Sequence, residues 1–206
     1  MIKEHDFIIS HYSEVLCDII SLAVYDHFSY QVIERGIAYA PFINELERGN
    51  DTLINFTDSQ KLYESTFIDG KSKLEDNLTF YETNWVAEMY IELFLKYQIT
   101  FEALFFYIPL KEMNGLFETY HEMDIHQLFQ YFEGKQKISL LRYICKDRGI
   151  SLVELAGFAK ISQSMINSLS TNKRDIAKLS AQTLYLIAKK LDIKMETLLS
   201  LHLFEE

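Results

Sequence analysis

The sequence predicts an all-α protein of two domains, residues 1–134 and 138–206. Three observations carry that expectation. Only two prolines and seven glycines punctuate 206 residues, too few for the many tight turns of a sandwich or barrel. Apolar residues recur at three- and four-residue steps along much of the chain, the period of a helix with one buried face. A hydrophobic fraction of 49%, with 15 Phe and 13 Tyr, supplies the apolar area that a packed core needs and a disordered chain lacks. Two domains are expected at this length because domains commonly run about 100 to 150 residues.

Each element has a local reason. Between Asp6 and Asp26, Ile8, Tyr12, Val15, Leu16, Ile19 and Ala23 fall on one helical face. A second helix is expected from Tyr30. The Ala40-Pro41 step opens a third, since a first-turn proline has no N–H to leave unpaired, and Gly49-Asn50 stops it. Thr57 or Asp58 is placed to cap a fourth. Residues 68–77, IDGKSKLEDN, are polar and aperiodic and read as an exposed loop. From Thr83 to Gln98 an apolar stripe of Val86, Met89, Tyr90, Leu93, Phe94 and Tyr97 stands opposite Glu88, Glu92 and Lys96. Thr100 caps a short helix through Tyr107, Pro109 opens one from Leu110 to about His121, and Asp124 caps a last one through Phe132. EGKQK, residues 133–137, then reads as the linker between domains.

Charge divides unevenly along this chain. Residues 1–138 carry 10 Lys and Arg against 23 Asp and Glu, a net −13, whereas residues 139–206 carry 10 against 7, a net +3. A domain that touches nucleic acid places positive charge near phosphates, and an acidic companion must face away from the duplex or repel it. The opening MIKEHDFIISHYSEV reaches polar residues too soon for a secretory signal. No membrane span is expected, with Glu92, Glu102 or Lys111 interrupting the apolar candidates, so the expected location is cytoplasmic. Cys17 and Cys145 lie far apart and read as small core residues, not as a disulfide, metal or redox pair.

The C-terminal third is the most informative segment. Leu140 to Lys146 is amphipathic and stops at Gly149; Ser151 then caps a short helix whose Leu152 and Leu155 point inward beside Ala156. A new cap, Ser162, begins Gln163-Ser164-Met165-Ile166-Asn167-Ser168-Leu169, apolar at Ile166 and Leu169 and largely polar elsewhere. Short and amide side chains on such a face suit the edges of bases in a major groove.

The stretch LRYICKDRGISLVELAGFAKISQSMINSLSTNKRDIAKLSAQTLYLIAKKLDIKMETLL resembles the Cro and C1 repressor type of helix-turn-helix, the XRE-like family, over about 60 residues. The resemblance rests on five features in order: an Arg-containing first helix, GxSLxELA, a short turn to I-S-x-S-x-I, a basic NKRD stretch, and the LxxIAKKLDIxxETLL ending. It implies a five-helix lambda-repressor-like domain over residues 138–206, with Gln163, Ser164, Asn167 and Ser168 facing bases. Ser162, Thr171, Asn172, Lys173 and Arg174 would approach phosphates. Three departures stand out: Lys160 where the family often has Gly, a long DIAKLSAQT stretch before the fourth helix, and no Arg in the helix that would read DNA.

Other clusters carry blander readings. His121 and His126 are five apart, not the four that place two ligands on one helical face, and Asp124 serves better as a cap, so no metal site is expected. Asp26-His27 lacks any accompanying nucleophile or phosphate-binding motif, and Phe101, Phe105, Phe106 and Tyr107 have the spacing of core aromatics. The sequence-level expectation is a non-enzymatic, sequence-specific transcription regulator without cofactor, a repressor acting as a homodimer on double-stranded DNA. Its acidic domain would serve dimerisation and the sensing of a partner or ligand. The alternative is an antitoxin-like inhibitor whose acidic domain binds a basic partner protein while the reader autoregulates the operon.

Overall fold

A computed structural model describes residues 2–67, 79–137 and 139–199, with side chains from Phe7 onward. The loop expected at 68–77 lies outside the described residues. Within them the chain forms α-helices and one 3-10 turn, and no strand. It divides into two compact units, Met1–Gln127 and Leu128–Glu206.

Unit 1 is built around α1 (Ile2–Tyr25), which packs on α5 (Ser59–Thr66) and α6 (Phe80–Tyr97). A second group consists of α2 (Tyr30–Tyr39), α3 (Pro41–Glu47), α7 (Phe101–Tyr107) and α8 (Leu110–Tyr120), with α2 in contact with each of the others. A short α4 (Thr52–Phe56), not foreseen from periodicity, follows α3, so Asp58 caps the fifth helix and not the fourth. Five residues are too few to show a repeat at 3.6. Pro41 occupies the first turn of α3 and Gly49 follows its end at φ 76°, as that local chemistry requires.

Every residue of the stripe expected on α6 is buried, and Thr83, Ala87 and Ile91 are buried with it. Helix α6 also begins earlier than its periodicity indicates. Thr79 accepts from the Glu82 amide at 3.3 Å while the Glu82 carboxylate accepts from the Thr79 amide at 2.7 Å, a capping box that satisfies donors at both positions. The Thr79 hydroxyl, which donates to Glu82 Oε2 at 2.6 Å, and the Thr79 amide hold the Glu82 carboxyl below its ordinary range. On the other side of α6, burial pushes the Glu88 carboxyl up.

Two helices of unit 1 find acceptors for first-turn amides in carboxylates distant in sequence, α7 in addition to its own cap, Thr100. The Leu110 amide donates to Glu34 Oε1 at 2.6 Å, and the Phe101 amide donates to Glu47 Oε1 at 2.8 Å. Glu102, only 5% exposed, accepts from the Tyr39 hydroxyl at 2.6 Å. Anionic groups at helix N-termini meet both free N–H groups and the positive end of the helix dipole. Part of the acidic excess of this unit therefore serves the fold itself. Tyr12 of α1 donates to Asp51 ahead of α4 at 2.8 Å, and burial beside that carboxylate pushes the phenol up to about 12.

The stretch Phe7–Tyr25, with mean hydropathy 1.5, is long and apolar enough to cross a membrane by length and composition. This corrects the expectation that no run qualifies: Glu14 and Asp18 are its only carboxylates, and the charges weighed earlier all lie in later segments. Half of the stretch is buried, and α1 packs on α5 and α6, the placement of a core helix.

The segment expected to link the domains is helical through Gln136, because α9 runs from Ile125 to Gln136. Glu, Lys and Gln are good helix formers, and polarity alone does not end a helix. The boundary between the two units falls inside α9, after Gln127. Unit 2 continues through α10 (Leu140–Asp147), α11 (Leu152–Ala159), α12 (Gln163–Leu169), a 3-10 turn (Ile176–Lys178), α13 (Ala181–Leu191) and α14 (Met195–Leu199).

Candidate nucleic-acid interface

The core of unit 2 sets the orientation of α12. Helix α11 packs on α12 and α13, and α13 packs on α14. Leu155, Ile187, Leu191 and Leu198 have no exposed surface, and neither does Ile166, while Leu169 is 4% exposed. The Ile166 and Leu169 face of α12 is thereby turned inward, which leaves the polar side for solvent. Leu152, expected inside, is only half-buried.

The turn into α12 depends on two residues. The amide of Glu154 donates to Ser151 Oγ at 3.1 Å, starting α11, and the helix ends at Lys160 with φ 57° and ψ 39°. That left-handed position is where Gly is favoured, since a Cβ there crowds the backbone. Here the Ile161 amide reaching back to the Ala156 carbonyl at 3.1 Å closes the turn with lysine in place. Ser162 then accepts from the Met165 amide at 3.2 Å and caps α12.

Gln163, Ser164 and Asn167 are all exposed, and their spacing puts them on adjoining positions of one helical face. Gln163 Nε2 donates to Asn167 Oδ1 at 3.1 Å. The linked pair turns one carbonyl, Gln163 Oε1, and one amino group, Asn167 Nδ2, to other partners. Ser168 is half-buried, and its hydroxyl donates to the Ser164 carbonyl at 2.9 Å, leaving it acceptor capacity only. Thr171 likewise donates to the Asn167 carbonyl at 3.0 Å.

Beyond α12, Asn172 takes a left-handed φ of 54°, and the Lys173 amide donates to the Ser168 carbonyl at 3.0 Å. This closure satisfies a terminal carbonyl and leaves the Lys173 and Arg174 side chains exposed. The long DIAKLSAQT stretch is organised by Asp175, whose Oδ1 accepts from the Ala177 amide at 2.8 Å and starts the 3-10 turn. Asp175 also lies 3.8 Å from Lys178 Nζ. Lys190 is engaged within the unit: it pairs with Glu154 at 2.5 Å and lies 5.7 Å above the Phe158 ring. Sequence reasoning missed the Lys190 link between α13 and α11, which no local motif encodes. It also placed Gln163 and Asn167 on the base-facing side without foreseeing the bond between them, although side chains four apart on a helix are neighbours.

The remaining candidate groups have structural partners. Asp124 Oδ1 accepts from the His126 amide at 2.8 Å, which depresses the Asp124 carboxyl, and from His126 Nδ1 at 2.6 Å. His121 stacks on Phe117 with ring centroids 4.5 Å apart. Tyr63 donates to Asp26, and His27 ends α1 at φ 62°. Phe101, Phe105 and Tyr107 are buried, with Phe106 half-buried. Cys17 and Cys145 are buried free thiols, and burial raises both, Cys145 to about 11, so neither is an activated nucleophile.

Compared with known protein families, residues 141–202 match the Cro/C1-type HTH DNA-binding domain. Neither the curated proteins nor the solved structures contain a match to the chain. Five short helices, α10 to α14, a tight turn between α11 and α12, and a polar outward face on α12 coincide with the matched residues. The C-terminal unit of this protein thus carries a Cro/C1-type helix-turn-helix DNA-binding domain, and its presence points to a DNA-binding transcription regulator.

Proposed function

We propose that the protein is a sequence-specific, non-enzymatic transcription repressor that acts in the cytoplasm as a homodimer on a palindromic operator. The observation that carries this reading is the exposed, hydrogen-bonded Gln163–Asn167 pair on a helix that has no cation of its own. Helix α12 enters the major groove with Gln163, Ser164, Asn167 and Ser168 toward base edges. Ser162, Thr171, Asn172, Lys173 and Arg174 flank the groove and meet phosphates, which set register and supply affinity without reading sequence.

Beyond their mutual bond the linked amides present the Gln163 Oε1 acceptor beside the Asn167 Nδ2 donors. Adenine presents N7 as acceptor and N6–H as donor, whereas guanine presents two acceptors. The pair therefore favours adenine. One short helix reads only a few base pairs, so two copies one helical turn apart supply the affinity of a regulatory site. Unit 1 provides dimerisation and the sensing of a partner or ligand.

Fluorescence anisotropy with duplex from upstream of the protein's own gene, against scrambled duplex across a salt series, tests this. The wild type binds the upstream duplex selectively. Gln163→Ala and Asn167→Ala each reduce discrimination by about tenfold to a hundredfold. Lys173→Ala weakens every duplex alike and lowers the salt slope by about one. Retained selectivity in both amide variants would remove the base-reading assignment.

A further inference from the structure

Among the described residues of unit 2, Gly149, Lys160, Asn172 and Asp192 take left-handed conformations. Glycine meets no steric cost there, and the short side chains of Asn and Asp tolerate the conformation through local hydrogen bonds. Lysine has neither advantage, so nothing in the backbone of the turn before α12 selects it. Its side chain has no internal task either. Lys160 is exposed, and no carboxylate pairs with it among the described residues, whereas Lys178 meets Asp175 and Lys190 meets Glu154. A residue held in a costly conformation that the fold itself does not use marks a functional position.

We propose that Lys160 is a phosphate-binding residue of the DNA reader, a cation ahead of α12 that holds the duplex backbone on the side of the groove opposite Lys173 and Arg174. The proposal rests on the DNA-reading function above and adds a contact to that same site. Helix α12 has seven residues and is therefore about 10 Å long, close to the width of a major groove, about 12 Å. Lys160 precedes the Ser162 cap by two residues, which places it within about 8 Å of that cap. Lys173 and Arg174 follow the other end of the helix. Residues just beyond the two ends of a helix seated in the groove stand at its walls, where the phosphates run.

A lysine there carries its ammonium on a flexible four-carbon stem that can follow a phosphate. The helix contains no Lys or Arg, so its flanks supply the charge. Glycine at 160 would ease the turn and leave a single charged flank.

The test measures anisotropy of the full chain on upstream and scrambled duplexes for Lys160→Gly, Lys160→Gln and Lys160→Arg. Glycine suits the turn, so Lys160→Gly keeps the fold, with helicity and chemical denaturation as checks. At about 50 mM salt, Lys160→Gly and Lys160→Gln should bind both duplexes about tenfold more weakly than wild type, with the ratio between duplexes unchanged. The loss should shrink about threefold by about 200 mM, because one phosphate contact contributes about 0.9 to the salt slope. Lys160→Arg should keep the affinity and slope of the wild type, since it keeps the charge. Binding by Lys160→Gly equal to wild type overturns the proposal and leaves the reader intact. A loss with an unchanged salt slope also overturns it, because a distorted turn and not a missing charge would be the cause. So does a changed ratio between duplexes, which would make Lys160 a base contact. Failure of the wild type to bind any duplex overturns the DNA reading and the phosphate role together.

Discussion

The two units share local side-chain caps, Ser29, Asp58, Thr79 and Thr100 in unit 1 among them, and differ in that unit 1 adds carboxylates from far along the chain. In unit 2 the caps are local: Ser151 and Ser162 accept amide protons three residues ahead, as does Ser180 at the start of α13. In unit 1, α7 and α8 receive carboxylates from Glu47 and Glu34, 54 and 76 residues away. A unit with local caps writes its helix boundaries into short sequence patterns. The added carboxylates at α7 and α8 carry no such local pattern, and part of the acidic composition of unit 1 is thereby internal fastening.

The widest expected separation between the units comes from the core of α12. Ile166→Ala removes a side chain with no exposed surface and should cost about 2–5 kcal/mol. Hydrogen exchange should show faster exchange at Leu169 and Leu191 and unchanged protection in α6. Loss of protection in α6 as well would mean that the units do not open separately.

A smaller effect is expected from Glu47→Ala, which takes the acceptor from the Phe101 amide. An unsatisfied donor of this kind costs about 1–3 kcal/mol. Exchange should accelerate at the start of α7 while α11 and α12 keep their protection. Unaltered exchange at Phe101 would show that the distant carboxylate contributes little and would weaken the contrast between units.

The smallest change has the opposite sign. Lys160 holds a left-handed conformation at φ 57°, so Lys160→Gly should stabilise unit 2 by about 0.5–1 kcal/mol by relieving that strain. The higher midpoint should appear in chemical denaturation of the full chain. A lower one would mean that the lysine stem contributes packing that the geometry of the turn does not reveal.

Much of the helical plan was legible before any coordinates. The stripe on α6, the proline start of α3, the caps Asp58, Thr100 and Asp124, and the motif order of the reader all act within about four residues, the range over which neighbouring helical turns interact. Three errors share one cause. The short α4, the early start of α6 and the extension of α9 through Gln136 concern boundaries or elements too short for periodicity to register. The helix read at α1 and its apolar face are present, but the expectation that no run is long and apolar enough to cross a membrane failed differently. The composition of α1 suits both a membrane and a core, and only its packing against α5 and α6 distinguishes them.

By itself the sequence determined the helical class, the reader motif and the polar face of α12, because periodicity, capping and i to i+4 pairing are local. Tertiary structure alone decided that Glu34 and Glu47 meet first-turn amides of α8 and α7, that Lys190 ties α13 to Glu154 of α11, and that α1 lies in a core. Those pairings join residues far apart in the chain. A carboxylate carries no mark in sequence of which distant amide or ammonium it will meet until packing brings the two together.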